Sequence, residues 1–564
     1  MIWNSQAVKG VLDELRRFGD DTTLVECKRA AVAMPESLGE TLSAFANMPE
    51  PGLILLGVDE RRGFEATGVK SPAEMVKKVA DFSRSAIDPA PQCTASTVDI
   101  DGQSVIVIEV VPLAPALKPA RYQGKAYLRQ ADGDYVMNAN DLRMLEISAL
   151  TERESPEYDF ASVPETSVSI CDEDVLKQYL SNIRRGQNRL AKVDEQDTLL
   201  QMTGVCDADG NLRLAGLYGL GYYPQSIEPT LGATAAVRIA RSSTGQRNKD
   251  LENISGPLPA LLQDSLDWVH AHLSKVSIYH RDGNLVDVPE FPLSAIREAL
   301  ANAFVHRDLG PSLDVGKKVE IRLTEKSLII KNPGGLRGLS TDQIESSTLT
   351  KAAVNKRLYE IARYLNTSDG ERVIEGEGGG IQEILTSTRM EGCHRPRFID
   401  TGVDFTVIFP RGSRFTDADE EWFATFNTKL DPLAKDLLLG LRRDGEWELS
   451  SILRSFAPIS PRDVERMVNE LESAGIITVE DTIVFLTGHR PKPATDFARL
   501  GKNVPAVLNY LRNHPGATRQ DISESTGLSA NQARYALKPL VDRNLVVMHG
   551  GVGQKETTYT LRSF

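Results

Sequence analysis

Residues 21–60, DTTLVECKRAAVAMPESLGETLSAFANMPEPGLILLGVDE, constrain this chain more than any other stretch. A short strand-like run carries a glutamate and a lysine on either side of one residue, Glu26-Cys27-Lys28. An amphipathic helix follows, and then an unbroken apolar run, Leu53 to Val58, which reads as a buried strand ending on Asp59 and Glu60. Acids on neighbouring strand ends with a lysine beside them suit metal-dependent phosphodiester cleavage. The carboxylates hold a hard divalent cation, and the ammonium stabilises the attacking water or the charge developing on phosphorus. A Glu-x-Lys on an exposed strand is also what a solvated ion pair looks like, so the local pattern leaves both readings open.

The full order of residues resembles the Schlafen-type AlbA_2 domain. The resemblance rests on Glu26-x-Lys28, Pro35-x-Ser37, Glu40-Thr41, Ala44-Phe45-Ala46-Asn47 and Gly57-Val58-Asp59-Glu60, and continues through Gly68-Val69 to Tyr127-Leu128-Arg129. It implies an α+β domain over residues 1–150 with three acids in a nuclease site: Asp21, five residues ahead of Glu26, then Glu26 itself and Asp59. Lys28 stands beside them, and Mg²⁺ or Mn²⁺ is the implied metal. One departure is plain. Where the family has a Gly-Gly turn, this chain has Met48-Pro49-Glu50-Pro51-Gly52, stiffer and more acidic.

At 564 residues the chain is too long for one core and calls for three to five domains. No run approaches the roughly 18 apolar residues of a membrane span, and MIWNSQAVKG lacks the apolar core of a signal peptide. The five cysteines are scattered and never spaced as metal ligands, so reduced thiols in a cytoplasmic protein are expected. A net charge of −13 confines any nucleic-acid contact to local surfaces. One such surface is the stretch from Gly501 to Phe564, where eight lysines and arginines face four acidic residues.

A second constellation lies between Phe291 and Pro410. Glu298 and Asn302 stand four apart on one helix face, the spacing of a water-activating base and an Mg²⁺ ligand. Two strand runs then close on Asn332-Pro333-Gly334-Gly335. Glycines 376, 378, 379 and 380 lead into a further helix, whose backbone N–H groups can meet phosphate. The order resembles the divergent Bergerat-type ATP-binding fold, an α/β sandwich assigned here to residues 206–410. The resemblance makes Glu298 the base and Asn302 the magnesium ligand. It puts Asn332, Gly334 and Gly335 on the adenine side, Gly376, Gly378, Gly379 and Gly380 in the phosphate lid, and ATP or another nucleoside triphosphate in the pocket. His306-Arg307-Asp308 belongs to the same pattern. Classical members carry an aspartate where this chain has Asn332.

The remaining segments frame these two. Residues 151–205 read as a polar linker and a small helical element, 411–430 as a linker, and 431–490 and 501–564 as two units resembling winged helix-turn-helix domains. In the second, a helix from Ser529 exposes Asn531, Gln532, Arg534, Tyr535 and Lys538, with Lys555 on the wing, side chains suited to base edges and phosphate. Inward packing of Tyr535 and Leu537, making the unit a dimerisation module, is the alternative. The expected architecture is thus multidomain α/β with two winged-helix units, and a homo-oligomer is expected. Three functions compete: a nucleotide-gated Schlafen-like nuclease acting on RNA such as tRNA, or on DNA, in antiphage defence; an ATP-binding transcriptional regulator without nuclease activity; and an oligomeric scaffold with vestigial sites.

Overall fold

The computed structural model describes residues 3–18, 23–130, 133–150, 154–238, 248–279, 285–346, 354–375, 379–426, 428–488, 503–514, 516–542, 546–549 and 557–561. Asp21, Gly376, Gly378 and Lys555 lie outside them. Contacts group residues 1–433 into one compact unit and 434–564 into a second. Among the described residues no helix is long and apolar enough to cross a membrane.

The first sheet follows from the apolar run at its centre. Gly52–Leu56 is buried on both faces, with Val25–Lys28 parallel on one side and Gln103–Val111 antiparallel on the other, flanked in turn by Gln92–Ile100. Strand alternation splits its side chains between two cores. Ile54 and Leu56 pack with Leu38, Leu42 and Phe45 of the helix Leu38–Asn47, whereas Leu53 and Leu55 pack with Val8, Leu12 and Leu15 of the helix Ser5–Phe18. Asp101-Gly102 forms the hairpin turn between Gln92–Ile100 and Gln103–Val111. Both residues take positive φ (53° and 83°), as the tight turn joining twisted antiparallel strands requires.

Asn47, at the end of Leu38–Asn47, has no exposed surface and stitches the helix to a second, smaller sheet. Its side chain accepts from the Ala120 N–H at 2.7 Å and donates to the carbonyls of Ala120 and Tyr127, both at 3.0 Å.

A six-stranded sheet follows, ordered Asn248–Ile254, Ala233–Arg238, Val319–Leu323, Ser327–Pro333, Asp404–Pro410 and Arg397–Asp400. Only the pair Ala233–Arg238 and Val319–Leu323 is parallel. Its apolar face meets the helices Leu258–His272, Leu293–Val305, Lys356–Ala362 and Gly380–Met390 in one core, an α/β sandwich. The helices Glu173–Gly186, Gln196–Met202 and Leu214–Leu220 contribute Tyr179, Ile183, Leu199, Leu200 and Tyr218 to this same core.

The second compact unit holds two three-helix elements, each with a three-stranded sheet. The first has Pro432–Asp444, Leu449–Phe456 and Pro461–Ser473, with strands Glu446–Glu448, Ile477–Glu480 and Ile483–Leu486. The second has Val504–Asn513, Arg519–Thr526 and Ala530–Asp542, with strands Ala517–Thr518, Val546–His549 and Thr558–Leu561. Both have the winged-helix order.

Candidate functional sites

Alternation along Val25–Lys28 sends Cys27 into the core beneath the first helix and sets Glu26 and Lys28 on the other face. There the lysine ammonium donates to Glu26 Oε1 at 2.6 Å and to Ser37 Oγ at 2.9 Å. Glu26 Oε2 takes Arg129 at 2.5 Å, and Arg129, 2 % exposed, also reaches Asp134 at 3.4 Å. Asp134 accepts from Thr41 at 2.6 Å. Two carboxylates and two cations therefore balance in a largely buried network, the arrangement that lets charge persist away from water. A solvated surface pair is thereby ruled out for Glu26 and Lys28, whose side chains are only 13 % and 10 % exposed.

Asp59 lies on a short separate strand, Val58–Asp59, paired with Glu65–Ala66 and three residues beyond Leu56, the register partner of Lys28. It is buried, and its carboxylate accepts from the Arg61 N–H at 3.1 Å, capping the turn Glu60–Arg62. Among the described residues no group of three or more His, Cys, Asp or Glu side chains is placed to hold a metal ion; Asp21, the third expected acid, is outside them. The donor chemistry still suits a hard cation, since Glu26 and Asp59 both offer carboxylate oxygen.

The second site forms where two helices meet. Asn302 Nδ2 donates to Glu298 Oε1 at 2.9 Å, one helical turn away. Burial raises the Glu298 carboxyl above its ordinary range, with Asn302 opposing and Glu375 and Glu383 adding to the rise. A Cβ on Gly380 would stand 1.7 Å from Glu298 Oε1 and 3.0 Å from Asn302 Nδ2, so the start of the helix Gly380–Met390 lies directly against this pair, and a larger residue there would displace the Glu298 side chain. Asn332 is buried in the sheet, with only a long 3.5 Å contact from its amide to the Pro333 carbonyl. Gly334 (φ 97°) backs onto Asp308, and Gly335 onto Asp400.

His306, Arg307 and Asp308 build the turn after the Glu298 helix. Arg307 is fully buried and donates to the carbonyls of Thr230 (2.8 Å) and Lys317 (3.0 Å). Asp308 accepts from the Ser312 N–H at 2.8 Å.

The helix Ala530–Asp542 divides as its sequence implied. Ala533, Ala536 and Leu537 face the core, while Asn531, Arg534, Tyr535 and Lys538 are exposed, Tyr535 by 76 %. Inward packing of Tyr535 is thus corrected, because its helical position falls on the face opposite Ala533 and Leu537. Gln532, expected among the readers, is committed to the helix start: its Oε1 accepts from Ser529 N at 2.8 Å and its N–H donates to Ser529 Oγ at 3.3 Å. Ser460, at the corresponding place in the first unit, makes no side-chain cap. That unit's helix spends Arg466 on Asp463 at 2.7 Å.

Residues 21–138 match the family described as "Schlafen, AlbA_2", residues 316–409 the family described as "Putative ATP-dependent DNA helicase recG C-terminal" (HATPase_c_4), and residues 503–547 "Winged helix-turn-helix DNA-binding". The chain carries these three domain signatures in that order. No curated protein matches it. Among solved structures, the DIP2311 protein from Corynebacterium diphtheriae is 18 % identical over 96 % of this chain and 95 % of its own, with a TM-score of 0.37. The N-terminal domain of a "Putative ATP-dependent DNA Helicase RecG-related Protein" from Nitrosomonas europaea is 28 % identical over 23 % of this chain and 94 % of its own, with a TM-score of 0.19.

Sequence reasoning missed three members of the AlbA_2 cluster as site residues: Arg129, Thr41 and Asp134. The first two stood in the quoted motif and could have been chosen as polar residues in otherwise apolar runs. Asp134 carried no signal.

Proposed function

We propose that this chain is a nucleotide-responsive nucleic-acid-binding protein whose AlbA_2 domain cleaves phosphodiesters with a divalent metal. The observation that supports the nucleotide half is the seating of Gly380 on the Glu298–Asn302 pair, residues that in this reading would serve as lid, base and magnesium ligand. A triphosphate there would meet the helix N-terminus, with Mg²⁺ on the Asn302 oxygen. In the AlbA_2 domain, Glu26 and Asp59, with Asp21, would hold Mg²⁺ or Mn²⁺, which supplies a polarised water. Lys28 stands ready to balance charge on the phosphate, and Arg129 fixes the Glu26 carboxylate. Nucleic-acid capture falls to the winged helix.

The test is incubation of the full chain with tRNA, single-stranded RNA, single-stranded DNA and duplex DNA, with and without Mn²⁺ and ATP. Metal-dependent cleavage is expected, and Glu26→Gln should lower it by about a hundredfold or more, the scale of losing a metal ligand. Cleavage that survives the substitution would exclude this site. For the pocket, calorimetry should show ATP–Mg²⁺ binding that Asn302→Ala abolishes and Glu298→Gln spares, while the latter stops any hydrolysis. A second reading, a DNA-binding regulator without cleavage, draws on the exposed Arg534–Tyr535–Lys538 face. It predicts duplex binding with no product in any reaction.

A further inference from the structure

The AlbA_2 domain and the ATP-binding-type domain share one compact unit, and the joint between them runs through the Met48–Pro51 turn that departs from the AlbA_2 pattern. Glu50 accepts both the N–H of Thr341, at 3.2 Å, and its hydroxyl. Lys118 donates to the Met48 carbonyl at 2.8 Å. From the other side the turn Asp400–Asp404 enters the AlbA_2 core. Val403, with no exposed surface, is packed in the same cluster as Met48, Met144 and Leu145, and Gly402 lies against Pro49 and Leu145. Lys317 bridges Asp141 and Asp404, at 3.5 Å from each.

That same turn holds the loop Asn332–Gly335. Gly334 N–H donates to the Val403 carbonyl at 2.7 Å. Asp400 accepts from Leu336 N–H at 3.1 Å and Gly402 N–H at 2.8 Å, and a Cβ on Gly335 would come within 2.5 Å of its carboxylate. On the AlbA_2 side, Met48 ends the helix Leu38–Asn47, and Ser37, at the helix's other end, takes the Lys28 ammonium. The helix is ten residues long, a rigid rod of about 15 Å.

We propose that the Asp400–Asp404 turn couples the two sites, so that nucleotide seated on the Asn332–Gly335 loop alters the Glu26–Lys28–Arg129 cluster through Glu50, Met48 and the helix Leu38–Asn47. Asp400 is the positioning residue of that loop. The coupling rests on the nucleotide-pocket reading. It requires that ATP bind the two arrangements of the seam with different affinity, because a ligand shifts only what it distinguishes.

The experiment is hydrogen exchange on the full chain with ATP–Mg²⁺ as the probe, beside calorimetry on the same samples. Saturating nucleotide is expected to change exchange by about threefold or more in peptides covering Leu38–Asn47 and Lys125–Gln130. Thr341→Val, nearly isosteric, should remove most of that remote change while leaving ATP affinity within about threefold. Glu50→Gln, with no volume lost, should do the same. A merely structural seam would lower stability without separating the two readouts. ATP binding with no remote change in the unsubstituted chain overturns the coupling and leaves the pocket standing. A remote change that survives both substitutions overturns the seam as its route. Absence of calorimetric binding overturns the pocket reading and the coupling with it.

Discussion

His306 shows how a residue of a functional-looking pattern can serve the fold. It is half-buried, its ring lies 6.0 Å from that of Tyr359, and its Nδ1 has no hydrogen-bond partner among the described residues. Burial disfavours the imidazolium and pushes its pKa down to about 4, from 6.5 in the unfolded chain. The sign follows from linkage: between those values the unfolded chain binds a proton that the folded chain refuses, so stability is complete above pH 6.5 and is lost as pH falls towards 4. A shift of this size corresponds to roughly 3 kcal/mol. Urea unfolding of His306→Phe, which fills similar space and does not titrate, should show an acid loss shallower by about that amount. Equal pH slopes in the two proteins would place the titration elsewhere.

Elements differ in how much of their role is written locally. The Glu298–Asn302 pair was legible because both residues sit on one helix four apart, a distance the helix itself fixes. Glu26 and Lys28 were legible for the same reason in a strand. That Arg129, and through it Asp134, completes their cluster was not, because about a hundred residues of chain separate them and only the second sheet brings them back. For the last winged-helix element, inward packing of Tyr535 and Leu537 stood as the alternative; Leu537 is indeed buried, but Tyr535 is exposed. With Arg534 and Lys538 exposed beside that ring, each cation is free to meet a backbone phosphate while the ring meets base or sugar. Removing one phosphate contact releases one fewer set of counterions. Lys538→Gln should therefore lower the slope of log affinity against log salt by about one, and Arg534→Gln likewise. Slopes unchanged in both variants would take the helix out of the nucleic-acid interface.

At the scale of the molecule, the segments that look separable in sequence are not equally separable in space. The helices of residues 173–220 complete the core of the six-stranded sheet, and Val403, just before its strand Asp404–Pro410, packs into the AlbA_2 core some 250 residues earlier. None of this is visible locally, since a valine after a glycine gives no hint of which core it enters. Gene shuffling would meet the consequence first. A fragment cut near residue 150 leaves Met144 and Leu145 facing water where Val403 belongs, and a grafted AlbA_2 domain arrives in its host with an unplugged socket. The heritable piece is a discontinuous one: the N-terminal domain together with the five residues, 400 to 404, that its partner lends it.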